Sequence, residues 1–98
     1  MKTTPETAVK KEIKDWLDIH HFFHFPITAG LGCYPGLPDR IAIKNGIVLF
    51  IEIKGPKGKC SEAQTEFGDN LVCEGAHYIV ARGYEDIERY LKEAEGRR

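Results

Sequence analysis

The spacing of apolar positions changes along the chain, and each change predicts an element. Val9, Ile13, Trp16 and Leu17 recur at helical spacing, so the first element is a helix with one buried stripe. Thr4 suits its N-cap, Pro5 its first helical position and Glu6 its first turn, with the end expected near Ile19–His20. From His20 to Ile27 the chain reads as an aromatic-rich strand, with Pro26 forcing an edge or end position. Thr28 to Pro38 carries too many glycines and prolines for a sheet and reads as a loop. Two β-branched apolar runs then flank Asn45-Gly46. That dipeptide is the strongest short-range hairpin signal, because both central turn positions need positive φ. After a basic loop, Gly55 to Cys60, the capping box Ser61-Glu62-Ala63-Gln64 opens a second helix, which Gly75 ends. Ala76 to Ala81 reads as a strand parallel to the second hairpin strand, reached through the helical crossover. Tyr84-Glu85-Asp86 opens a last helix with Ile87, Tyr90, Leu91 and Ala94 on its buried face, and residues 96–98 read as a frayed tail. The predicted order is helix, three antiparallel strands, helix, strand, helix, an α/β fold with a central mixed sheet flanked by helices.

The hairpin register turns this pattern into candidate chemistry. With the reversal at Asn45-Gly46, Ile43 faces Val48, Ile41 faces Phe50 and Asp39 faces Glu52. Facing residues share one side of the ribbon, with Cβ atoms ~4.5–5.5 Å apart. Two carboxylates so placed repel each other, and a divalent cation between them reverses the sign of the problem. Lys54, two residues past Glu52, points to the same side. Asp39, Ile41, Ile43, Val48, Phe50, Glu52 and Lys54 thus share one side, and Ala42, Ile47, Leu49, Ile51 and Ile53 the other. Both sides are apolar, so the ribbon is expected to be covered on both.

Two further residues have a plain reading and a functional one. Glu6 favours the positive end of its helix as any carboxylate does. It also lies on the Val9–Ile13 side, where it becomes a third carboxylate for the hairpin's site. Glu12 is the fallback, bordered by Lys10, Lys11 and Lys14 and read as solvated. Gln64 is fully explained by the capping box, yet Gln64, Phe67, Gly68 and Leu71 form one stripe that can look over the hairpin's acidic end. The two readings compete for the same amide.

Composition narrows the function classes. The 98 residues are expected to form a single domain, residues 1–98, short enough for dimerisation to help bury its surface. No apolar run approaches the ~18 residues of a membrane span, and the N-terminus lacks a signal-peptide core. Cys33, Cys60 and Cys73 are odd in number and lack CxxC spacing, which points to free thiols in a reducing cytoplasm. A net charge of −1 is not the footprint of a general nucleic-acid binder. Phosphate contacts depend on local charge, however, and Lys54, Lys57, Lys59, Arg40 and the Lys10, Lys11, Lys14 group supply it. The spacing of His20, His21 and His24 suits a helix face in a stretch that is not helical, so no zinc site is expected there. Tyr34 is open to two readings, stacking on a base or packing on the core.

Pro38-Asp39, twelve intervening residues and Glu52-Ile53-Lys54 resemble the PD-(D/E)xK nuclease signature. Gly36-Leu37-Pro38-Asp39-Arg40, Ile51-Glu52-Ile53-Lys54-Gly55 and Ser61-Glu62-Ala63-Gln64, with Glu6 on the first helix, resemble a small stand-alone VRR-NUC (virus-type replication-repair nuclease) domain over nearly the whole chain. The resemblance implies a restriction-endonuclease-like core of order αβββαβα. It implies Mg²⁺, with Mn²⁺ as substitute, on Glu6, Asp39, Glu52 and the backbone carbonyl of Ile53. Hard oxygen donors of this kind suit those ions and not zinc. Lys54 would orient or deprotonate the attacking water, and Gln64 would support the site. The implied activity is a DNA endonuclease selective for branched DNA such as Holliday junctions, working as a homodimer. Lys10, Arg40, Lys57, Lys59 and Tyr34 are the expected DNA contacts. The alternative is a non-catalytic DNA- or protein-binding module on the same core, but the loss of a site residue that would mark it is not seen. A third possibility is a compact interaction protein whose facing acids are merely solvated.

Overall fold

A computed structural model describes residues 5–96; the expected N-cap Thr4 and the tail residues Arg97 and Arg98 lie outside the described residues. The elements are α1 (Pro5–Ile19), β1 (Phe23–Pro26), β2 (Arg40–Lys44), β3 (Ile47–Ile53), α2 (Glu62–Cys73), β4 (His77–Ala81) and α3 (Tyr84–Gly96). This is the predicted order. One sheet runs β1-β2-β3-β4, antiparallel across the first three strands and parallel between β3 and β4. Asn45 and Gly46 take φ of 52° and 83°, as the two-residue turn requires. The ladder follows in the expected register, Ile43 opposite Val48 and Ile41 opposite Phe50.

Gly96, expected in the frayed tail, is instead the last residue of α3. Two larger differences concern the strands. The first strand begins at Phe23 rather than His20, because His20 and His21 are spent on reversing the chain after α1. His21 sits at φ 63°, and Phe22 N–H donates back to Leu17 O at 3.0 Å. The hairpin ladder also stops short of the expected Asp39–Glu52 pair. Arg40 pairs with Ile51, and Asp39 N–H donates to the same Ile51 carbonyl at 2.9 Å. Two residues against one is a bulge, which adds twist and re-aims the side chain at the strand's end.

The two faces of the sheet are covered unequally. On one, α1 and α3 bury Ala42, Leu49, Ile51, Ile53 and Ala81 beneath Val9, Ile13, Leu17 and Ile87. On the other, α2 lies over β4. Gly68 permits this approach, since a Cβ there would fall 2.5 Å from Tyr78 Cε2. Gly36, at φ +83°, lets the β1–β2 loop meet the first turn of α2, where a Cβ would overlap the Ala63 carbonyl. The expectation of cover on both sides fails on β1 to β3, because the helix on that side sits over β4. Phe23 is 67 % exposed, Phe25 38 % and Val48 41 %. Among the described residues, no helix is long and apolar enough to cross a membrane.

Candidate active site

Glu52, the penultimate residue of β3 and far from the Asn45-Gly46 turn, is only 2 % exposed. Its Oε2 accepts from Gln64 Nε2 at 3.0 Å and lies 3.4 Å from Lys54 Nζ. Gln64 meets both of its readings at once. Its Oε1 accepts from Ser61 N–H at 2.9 Å, its own N–H donates to Ser61 Oγ at 3.1 Å, and its amide nitrogen is left for Glu52. The capping box is therefore the device that aims the amide, with α2's N-terminus as its mount. Burial pushes the Glu52 carboxyl up to about 7, with the charge of Asp39 adding to it and Lys54 opposing it.

Asp39 is fixed from two sides. Oδ2 accepts from Ile53 N–H at 2.7 Å, and Oδ1 lies 3.6 Å from Lys10 Nζ. The same ammonium lies 3.5 Å from Glu6 Oε2. Glu6 therefore reaches the site's edge but touches Asp39 only through Lys10. Among the described residues, no three His, Cys, Asp or Glu side chains gather as a ready metal-binding group.

The other expected residues divide clearly. Lys57 and Lys59 are exposed on the loop after β3, which folds back so closely that a Cβ at Gly58 would sit 3.5 Å from Lys54 Cδ. Tyr34 meets Phe67 edge-on at 5.5 Å and stays 61 % exposed. Lys10 comes to the site as a counter-ion to two acids. Arg40 does not come: it donates to His24 Nδ1 at 2.7 Å, and His24 Nε2–H donates to Asp18 at 2.6 Å. Glu12 is not simply solvated, since it accepts from Tyr84 N–H at 3.1 Å and ties α1 to the start of α3. Sequence reasoning missed the bridging role of Lys10. Half of it was visible in the Glu6–Lys10 spacing of four, which pairs on a helix; the contact with Asp39 crosses elements and left no local signal.

Acids and an amine thus meet at one ribbon end, held by a helix that crosses to a parallel strand of an α/β fold. No family model matches the sequence, and no curated protein does. Solved structures do match. One, described as "VRR_NUC domain", superposes with a TM-score of 0.76 at 18 % identity, over 92 % of this chain and 97 % of that one. Another, described as "VRR_NUC domain protein", gives 0.73 at 25 % identity, over 93 % and 88 %. The chain has the VRR-NUC domain fold.

Proposed function

We propose that this chain is a Mg²⁺- or Mn²⁺-dependent endonuclease that hydrolyses DNA phosphodiester bonds at Asp39, Glu52 and Lys54. The observation that carries this is the Glu52 carboxylate, kept almost wholly from solvent beside a second acid although the two repel. A solvated pair of acids has no such cost and no such support. The donor set fits a hard divalent ion. Positive charge is already drawn in, because the Lys10 ammonium lies within 3.6 Å of both Asp39 and Glu6. Mg²⁺ commonly takes one or two carboxylates and leaves its other positions to water and phosphate. Asp39 and Glu52 would hold it, with Glu6 and the Ile53 carbonyl joining by resemblance. Such an ion supplies polarisation of the phosphoryl oxygen and acidification of the attacking water.

The chain's own groups do the rest. Gln64 fixes the Glu52 carboxylate in one orientation. Asp39 holds the Ile53 amide and with it the path of the backbone between Glu52 and Lys54. Lys54 Nζ donates towards the phosphate's developing charge or to the water. Lys57 and Lys59 contact the DNA backbone. We take residues 1–98 as one domain and branched DNA, Holliday junctions included, as the substrate, cut by a homodimer. The uncovered sheet face around Phe23 and Phe25 supports the homodimer. The free thiols of Cys33, Cys60 and Cys73 suit the cytoplasm.

The test is incubation with linear, flapped and four-way DNAs, with and without Mg²⁺ or Mn²⁺. The wild-type protein cuts only with metal and prefers the branched DNAs. Asp39→Ala, Glu52→Ala and Lys54→Ala each keep a wild-type circular-dichroism spectrum and lose on the order of 10²–10³-fold or more in rate. Undiminished cutting in these variants removes the site assignment. Binding without cutting by the wild type favours the non-catalytic module.

A further inference from the structure

The surface beside the site is built for something other than a phosphate backbone. The sequence of α2 holds no lysine or arginine, and Glu62, Glu66, Asp69 and Glu74 are exposed along it and at its end. Phosphates are repelled from such a face. Yet this face carries two hollows that share Tyr34, Phe67 and Asn70. One, of about 290 Å³, is lined by Tyr34, Pro35, Ala63, Glu66, Phe67 and Asn70. The other, of about 230 Å³, is lined by Tyr34, Phe67, Asn70, Leu71 and Glu74. Tyr34 lines both. If it served only to pack the loop it would be covered, but 61 % of it is exposed.

We propose that Tyr34 and Phe67 take up an unpaired nucleobase of the substrate, adjacent to the bond that is cut. This rests on the nuclease reading and names what that site recognises. A base is uncharged, so the acids of α2 do not repel it, and its flat face stacks on an aromatic ring whatever its identity. Its amino groups donate to Glu66, and the Asn70 amide offers both a donor and an acceptor to a base edge. The location fits a neighbouring nucleotide. Gln64 touches Glu52 at 3.0 Å, and Phe67 lies three residues further along the same helix, ~4.5 Å of axial rise. Gly36 lets the loop bearing Tyr34 pack onto Ala63, the residue before Gln64, which sets the hollow beside the acids. A base reaches this hollow only when it has left its stack. The preference for branched or single-stranded elements over continuous duplex follows from that.

The experiment uses the full chain and short DNAs with 2-aminopurine in a single-stranded arm next to the branch. Wild-type protein is first checked for cutting. Binding is then measured by fluorescence anisotropy in the Lys54→Ala background, which does not cut. Tyr34→Ala weakens binding to armed DNA by ~5–150-fold, the equivalent of stacking one base, and leaves fully paired linear duplex unchanged. Tyr34→Phe keeps the ring and keeps the affinity. The 2-aminopurine fluorescence is quenched by the parent and by Tyr34→Phe, and recovers in Tyr34→Ala. Equal losses on armed and linear DNA, or no recovery of fluorescence, overturn the base site while leaving the nuclease intact. A wild-type protein that cuts no DNA overturns the nuclease reading first, and the base site with it.

Discussion

A carboxylate that is 2 % exposed and beside another acid costs free energy whenever it is ionised. For Glu52 the ordinary value near 4.5 rises to about 7 in the folded chain, first through burial and then through the charge of Asp39. Between these two values the folded state holds a proton that the unfolded state has lost. Stability of the metal-free protein therefore falls as pH rises through that window, and levels off above it, by up to about 3 kcal/mol. Urea unfolding at pH 5 and pH 8 measures this, and Glu52→Gln should flatten the difference. An unchanged pH profile in that variant would place the strain elsewhere. Lys54 and Gln64 reduce this cost without removing it, so added Mg²⁺ or Mn²⁺ at pH 8 should stabilise the wild type and not the variant. At this scale the residue types were legible from Asp39, Glu52 and Lys54 alone. The Lys10–Asp39 contact was not, because it joins residues far apart in sequence.

Among the elements, those with local causes were legible. The Asn45-Gly46 turn depends on two residues' φ angles, and the α2 cap on four consecutive residues. Where packing decides, local signals were silent. Gly68 sits mid-helix, where glycine costs helix stability relative to alanine. Its reason is the Tyr78 ring, 2.5 Å from where a Cβ would be. Gly68→Ala should therefore lower stability by ~1–3 kcal/mol through overpacking, despite its better helix propensity. Gly30→Ala is the comparison: nothing lies within 4 Å of its Cβ position, and it should stay within ~0.5 kcal/mol. Urea midpoints of the two variants decide it; equal midpoints would mean that α2 simply shifts to make room. Since α2 carries Gln64, a shifted helix also changes the hold on Glu52.

For the whole molecule, the open question of cover on β1 to β3 bears on assembly. Phe23, Phe25 and Val48 share one face with Ile41, Ile43 and Phe50, and no charged residue stands among them. A self-complementary apolar patch suits a two-fold interface between copies. Phe25→Asp should stay folded and weaken any self-association that sedimentation detects in the wild type. A wild type that stays monomeric throughout would leave this face to another partner. From the sequence alone came the order of elements, the tight turn, the register as far as Arg40–Ile51 and the buried stripes. Each follows from a period or a spacing that few neighbouring residues set. Only the tertiary structure decided that the β2 ladder ends in a bulge, that one sheet face is half bare, that Lys10 lies between two acids and that Tyr34 stands out beside Phe67. These depend on where separate elements meet, which one-dimensional spacing does not encode.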